Sequence, residues 1–181
     1  MAVEIAPDSK DWTWVLGRRC DECGFDTRAV EPAEVAGLLR QSAARWVEVL
    51  HGGAAVRVRP APDRWSPLEY GCHVRDCIEI YDRRLRLMLG EVDPLFPNWD
   101  QDGTAVTARY GEQDPAEVAT GLAAAAEVLA ADFDGVRGEQ WQRRGRRSDG
   151  ASFTVATFSR YFIHDPIHHL WDVTGQPATA P

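Results

Sequence analysis

The chain has 181 residues, is 44% hydrophobic and 27% charged, and carries a net charge of −8. That length suffices for one domain with a buried core, and the acidic balance argues against non-specific nucleic-acid binding, which calls for a basic face. No run approaches the ~20 consecutive apolar residues of a membrane span, and the N-terminus lacks the apolar stretch of a signal peptide, so cytoplasmic residence is expected.

Residues 1–30 lack helical periodicity and read as an N-terminal arm, with Trp12, Trp14, Val15, Leu16 and Phe25 available to pack on the body. The arm carries Cys20-Asp21-Glu22-Cys23; the other two cysteines are Cys72 and Cys77. Structural disulfides are not expected in the cytoplasm. A zinc site built on this CxxC needs two more ligands, and no second CxxC follows. A thioredoxin-type role would want a strand before the motif and a helix after it. Packing, thiol exchange and metal binding all remain open for the pair.

Four helices follow. The first starts near Pro32, runs an apolar stripe of Val35, Leu38, Leu39, Ser42, Trp46, Val49 and Leu50, and stops at Gly52-Gly53. The second opens with Ser66-Pro67-Leu68-Glu69, a capping box with proline in the first turn, and runs to about Leu89. The third repeats that logic at Asp114-Pro115-Ala116-Glu117, with an alanine-rich body from Ala119 to Ala131. The fourth is placed from Ser152 to near Gly175. This predicts an all-α fold, a four-helix bundle over residues 31–175, with the arm before it, long connections within it and a tail over 176–181.

The connection between the second and third helices is long for a structureless loop in a compact domain, so it is assigned a pocket role, with Trp99, Asp100 and Arg109 as candidates. Arg109 suits a substrate carboxylate, though a surface ion pair is the plainer reading. Between the third and fourth helices, Asp149-Gly150 suits a short hairpin turn. The cluster Arg143, Arg144, Arg146 and Arg147 there reads as a solvated turn or as a mouth for anions.

The histidines carry most of the chemical information. The last helix contains His164-Asp165-Pro166-Ile167-His168-His169. His164 and His168 are four residues apart, so on a helix they project from one face. Neutral imidazoles at that spacing can share a divalent ion, and His73 in the second helix can add a third ligand. Three protein ligands leave a position open, which is the catalytic pattern. Asp76 and Cys77, one turn beyond His73, and Asp172, four residues beyond His168, are candidates for supporting the ligands. His169 points about 100° from His168 and is given a supporting or structural role; Asp165 points away from His164 and is weighted less. Pro166 deletes a helix hydrogen bond at a cost of about 3 kcal/mol or more, a local disturbance that functional sites often tolerate.

Trp65-Ser66-Pro67-Leu68-Glu69 leading to His73, with His164 and His168 in the last helix, resembles the DinB-like superfamily of DinB/YfiT-type proteins, bacterial thiol transferases and mycothiol-dependent maleylpyruvate isomerases. The resemblance spans most of residues 32–175. It implies a four-helix bundle binding zinc or nickel through His73, His164 and His168, and a low-molecular-weight thiol such as mycothiol activated there. The abundance of arginine and alanine beside a single lysine, Lys10, fits a high-GC bacterial source. The resemblance also implies a small-molecule substrate and the option of a homodimer. The leading reading is therefore a metal-dependent thiol S-transferase or isomerase. The alternative is a non-catalytic, metal-stabilised module that binds a ligand or protein, and a minor third reading is a redox sensor using Cys20 and Cys23.

Overall fold

A computed structural model describes Ile5 and residues 11–178 of the chain. The remaining N-terminal residues and 179–181, part of the expected arm and tail, lie outside the described residues. Five α-helices are present among the described residues: α1 (Val35–Leu50), α2 (Pro67–Gly90), α3 (Gln101–Thr107), α4 (Pro115–Gly135) and α5 (Val155–Thr174). α1, α2, α4 and α5 form the four-helix body; α4 packs against α1 and α2, and α5 packs against the same two helices.

The helix starts follow the capping chemistry of the sequence. At α2 the Glu69 N–H donates to Ser66 Oγ (3.2 Å) while the Ser66 N–H donates to Glu69 Oε2 (2.8 Å), satisfying two backbone donors at once. At α4, Asp114 Oδ1 accepts from the Ala116 and Glu117 N–H groups. The last helix starts later than expected: Ser152–Thr154 are extended, and Thr154 caps α5 by accepting from the Thr157 N–H at 3.1 Å. Gly175, at φ +67°, ends α5 in the left-handed conformation that suits glycine.

The connections are ordered. The one after α2 carries strand β1 (Leu95–Phe96), α3 and a 3-10 turn over Tyr110–Glu112. The one after α4 forms a hairpin, β2 (Arg144–Arg147) and β3 (Ser152–Thr154), through the Asp149-Gly150 turn. β1 pairs parallel to β2, Leu95 opposite Arg146, giving a three-stranded sheet at one end of the bundle. Gly145 lies so close to Met88 that an added Cβ would fall 2.6 Å from its Cγ, which keeps a side chain out of the sheet–α2 contact.

The core between the helices contains Leu39, Trp46, Leu50, Ile78, Leu85, Leu122, Leu129, Phe133, Phe158 and Phe162, all buried. Each such side chain contributes about 1.5–3 kcal/mol. Gly71 lets α2 approach α1, since a Cβ there would meet Leu50 Cδ2 at 2.8 Å. The Trp46 indole N–H donates to the Pro166 carbonyl at 3.0 Å, tying α1 to α5 at the proline. No described helix is long and apolar enough to cross a membrane.

The N-terminal arm joins this core. Val15, Cys20, Cys23, Phe25 and Val30 are all buried. Arg160 Nε donates to the Val30 carbonyl, and the Ala178 N–H donates to the Cys23 carbonyl, so the arm is held by both ends of α5.

Candidate metal centres on helix α5

α5 places its polar side chains in two adjacent stripes. His164 and His168 form one; Asp165 and His169, offset by one residue, form the next, about 100° around the axis. Each stripe meets a different part of the chain. His73 from α2 joins Asp165 and His169, with one potential ligand atom from each lying within 4.8 Å of the others. Cys20 and Cys23 from the arm join His164 and His168 under the same limit. The three histidines expected to share one ion are thus divided between two clusters, with His73 in the first and His164 and His168 in the second.

In the first cluster, His73 Nε2 is 3.5 Å and His169 Nε2 3.8 Å from the same Asp165 oxygen, Oδ2. Two ligands held about 2.1 Å from a tetrahedral ion stand about 3.4 Å apart. His73 is 1% exposed, and neither of its ring nitrogens makes a hydrogen bond; Asp165 Oδ1 is likewise buried and unbonded. Unsatisfied buried polar atoms are costly, and a cation between His73 Nε2 and the Asp165 carboxylate would satisfy one ring nitrogen of His73 together with that carboxylate. Burial works to raise the Asp165 carboxyl pKa, but the His73 and His169 imidazoles and the Cys77 thiol outweigh it and hold the group below the usual carboxylate range. The opposite nitrogen of His169, Nδ1, is 2.8 Å from Asp172 Oδ2, a pairing that fixes the ring and leaves Nε2 facing Asp165.

Aromatic rings enclose this cluster. Trp99 stacks on His73 at 5.1 Å and 13°, Trp65 lies 5.4 Å from the same ring, and Tyr70 lies 5.0 Å from His169. Beside it is a cavity lined by Cys77, Arg84, Trp99, Arg147, Asp165 and His169, with Trp12, His164 and His168 also on its wall. Arg84 is only 6% exposed, donates to the Pro97 carbonyl at 2.7 Å, and pairs with no carboxylate among the described residues. Arg147 binds Asp149 and the Tyr161 hydroxyl.

In the second cluster, Cys20 Sγ lies 3.7 Å from His168 Nδ1 and Cys23 Sγ lies 3.7 Å from His164 Nε2. All four residues are at most 5% exposed. Burial, helped by His168, depresses the His164 pKa to about 3, so the ring is neutral with a lone pair available. Burial pushes the Cys23 thiol up to about 12. Trp12 covers the two imidazoles, 5.6 Å from His164 and 5.0 Å from His168.

The other sequence candidates fall as follows. Trp99 lines the cavity. Asp100 caps α3 by accepting from the Gly103 N–H, and it lines a neighbouring groove. Arg109 is exposed and paired with Glu112 at 3.2 Å, away from the cavity. Asp76 accepts from the Tyr110 hydroxyl and pairs with Arg75, so it braces the connection after α2. Cys77 is on the cavity wall and Asp172 supports His169. Among the cavity residues, Arg84 escaped notice and Asp165 was given little weight. Arg84 sits in Asp82-Arg83-Arg84-Leu85-Arg86, which reads as a solvated charged face, and nothing local marks it as buried. Asp165 was readable, because Asp165 and His169 have the same four-residue spacing as His164 and His168.

No curated protein matches the chain. The fold is similar to that of YfiT from Bacillus subtilis, described as "a probable metal-dependent hydrolase with an unusual four-helix bundle topology", with a TM-score of 0.64, 18% identity, and coverage of 95% of this chain and 91% of that one. A family model for the DinB superfamily matches residues 52–173, from just after α1 to the end of α5. That match spans most of the chain, including His73, Asp165 and His169, and the chain belongs to the DinB superfamily.

Proposed function

We propose that this protein is a metal-dependent enzyme with its reaction centre at His73, Asp165 and His169, and that it uses a low-molecular-weight thiol, such as mycothiol, in a transferase or isomerase reaction on a small anionic substrate. The observation that carries the reading is the set of buried, unbonded ligand atoms on His73 and Asp165 beside a cavity that holds a buried arginine with no carboxylate partner among the described residues. Two imidazoles and one carboxylate suit zinc or nickel and leave coordination positions free. A divalent ion bound there supplies Lewis acidity and makes a thiol or water nucleophilic at neutral pH.

The chain's own residues do the rest. Asp172 fixes the His169 ring so that Nε2 faces the ligand cluster. Trp99 and Trp65 shield His73 from water. Arg84 offers its guanidinium to a carboxylate of the substrate or thiol, an interaction strengthened by low local dielectric. The thiol is favoured by the family resemblance. Water is the second reading, and its support is the likeness to YfiT, described as a hydrolase. A cytoplasmic setting fits four cysteines that are all free thiols.

The test is metal content and reaction scope together. Purified protein is loaded with zinc or nickel and assayed for thiol conjugation and for ester and amide hydrolysis, with His73→Ala and Asp165→Ala in parallel. Thiol-dependent turnover that is lost in both variants supports the reading. Thiol-independent hydrolysis lost in both selects water. Activity unchanged in His73→Ala, or a parent protein that is inactive in every assay while metal only raises its melting temperature, overturns it in favour of a binding module.

A further inference from the structure

The second cluster has no task in that reaction. Its two cysteines lie before residue 52, outside the stretch that the family model matches. We propose that Cys20, Cys23, His164 and His168 bind a second divalent ion, zinc, in a closed four-coordinate site that fastens the N-terminal arm to α5.

Four features of the cluster argue for this. The first is the donor set: two thiolates and two imidazoles, in C-x2-C and H-x3-H spacings, are a tetrahedral zinc set. The second is distance. With Zn–S near 2.3 Å and Zn–N near 2.05 Å, a tetrahedral S–Zn–N angle sets sulfur and nitrogen about 3.6 Å apart. Both cross-pairs, Cys20 with His168 and Cys23 with His164, stand at 3.7 Å. A pair of separate thiol–imidazole contacts would not also require all four ligand atoms to lie within 4.8 Å of one another, as they do.

The third feature is the loop that presents the sulfurs. The Gly24 N–H donates to the Cys20 carbonyl and the Cys20 N–H to the Phe25 carbonyl, closing a tight turn at Gly24, φ +78°. The fourth is the surroundings of His168. It turns Nδ1 to Cys20, while its Nε2 faces the Glu22 carboxylate at 3.4 Å, with Asp172 farther off at 3.8 Å, a negative environment that favours the proton on the far nitrogen.

The charges and protons balance. One Zn2+ replaces two thiol protons, which leave to solvent, and the dication with two thiolates is neutral overall. A neutral centre suits four residues that are almost wholly buried. With all four positions filled by protein, the site is structural rather than catalytic. It closes loops of 148 residues between Cys20 and His168 and 141 between Cys23 and His164, and so restrains the unfolded chain over long distances.

Cobalt(II) is the probe, because thiolate ligation gives a sulfur-to-cobalt charge-transfer band in the near ultraviolet and tetrahedral geometry gives intense visible bands. The parent protein, stripped and reloaded, is expected to take two cobalt ions per chain and show both signatures. His73→Ala is expected to lose one ion and keep the charge-transfer band. Cys23→Ser is expected to lose the band and keep the ion at His73. The His73 variant separates this proposal from the catalytic reading, because each cluster can fail without the other. Should the serine variant not fold, thiol titration of the native parent decides. Cys20 and Cys23 are expected to resist a thiol reagent with zinc bound and to react after chelation. A parent protein without the charge-transfer band, or one whose Cys20 and Cys23 react equally with and without zinc, overturns the proposal.

Discussion

Two ligand clusters sit side by side on one helix, and they differ in openness. His164 and His168, facing the arm, are 4% and 5% exposed and meet two sulfurs. Asp165 and His169, facing α2, have side chains 30% and 20% exposed and border a cavity with a buried arginine. With a dication, the sulfur-rich cluster is neutral and filled. The other carries a residual positive charge and a vacancy. The contrast teaches that a helix can serve two purposes with one hexapeptide: a shift of one residue turns a ligand pair by about 100° and gives it different neighbours.

Removing the sulfurs has the largest expected effect. Cys20→Ser should release the arm and lower the melting temperature by on the order of 10 °C, as expected for a loss of several kcal/mol in a protein of this size. His73→Ala, measured in the same calorimetric scan, should shift it by far less while abolishing activity. Equal shifts would erase the distinction between a structural and a reactive centre. Asp172→Asn comes next: weakening the support of His169 should reduce metal affinity at the open cluster by about 10–100-fold, read by competition with a chelator.

Arg84→Met probes the open cluster from the cavity side. It should raise KM for anionic substrates by about 10-fold or more, with little effect on a neutral analogue and no change in cobalt spectra. An equal effect on both substrates would mean that Arg84 only packs. A further effect concerns pH in metal-free protein. The unfolded chain protonates His164 below about 6.5, whereas folded His164 resists until about 3. The unfolded state therefore binds the extra proton in that window, so stability should fall as pH drops from about 6.5 towards 3. Asp165 acts in the same direction at the acid end, since its folded carboxyl also resists protonation. Denaturant midpoints across this range check the slope; His164→Gln should flatten it.

The sequence announced the helices far better than it announced the site. Ser66, Pro67 and Glu69, or Asp114, Pro115 and Glu117, specify a helix start through contacts within one turn, and the structure uses them that way. The pairing of β1 with β2 joins residues about fifty positions apart and leaves no local mark. The histidines show the same limit. Their spacing revealed that α5 could hold metal, and the carboxylate offset by one residue was visible in the same hexapeptide. Which stripe meets His73 depends on the rotation of α5 about its axis, a long-range matter in which Phe158 and Phe162 are buried and Trp46 bonds the Pro166 carbonyl. Cys20 and Cys23 lacked two partners only when sought nearby; those partners are more than 140 residues away.

Asp172 gives the pair of clusters a common member. A single oxygen, Oδ2, stands 2.8 Å from His169 Nδ1 and 3.8 Å from His168 Nε2, so one carboxylate answers to an imidazole of each centre. Filling either centre draws electron density from its imidazole and strengthens the attraction of that ring to the shared oxygen, through the hydrogen bond of His169 and the longer electrostatic approach of His168. The two bindings are then thermodynamically linked, and linkage is reciprocal: whatever factor zinc at the cysteines applies to metal affinity at His73, metal at His73 applies to zinc at the cysteines. A chain built this way reports the loss of its structural ion as a change in the affinity of its reactive one.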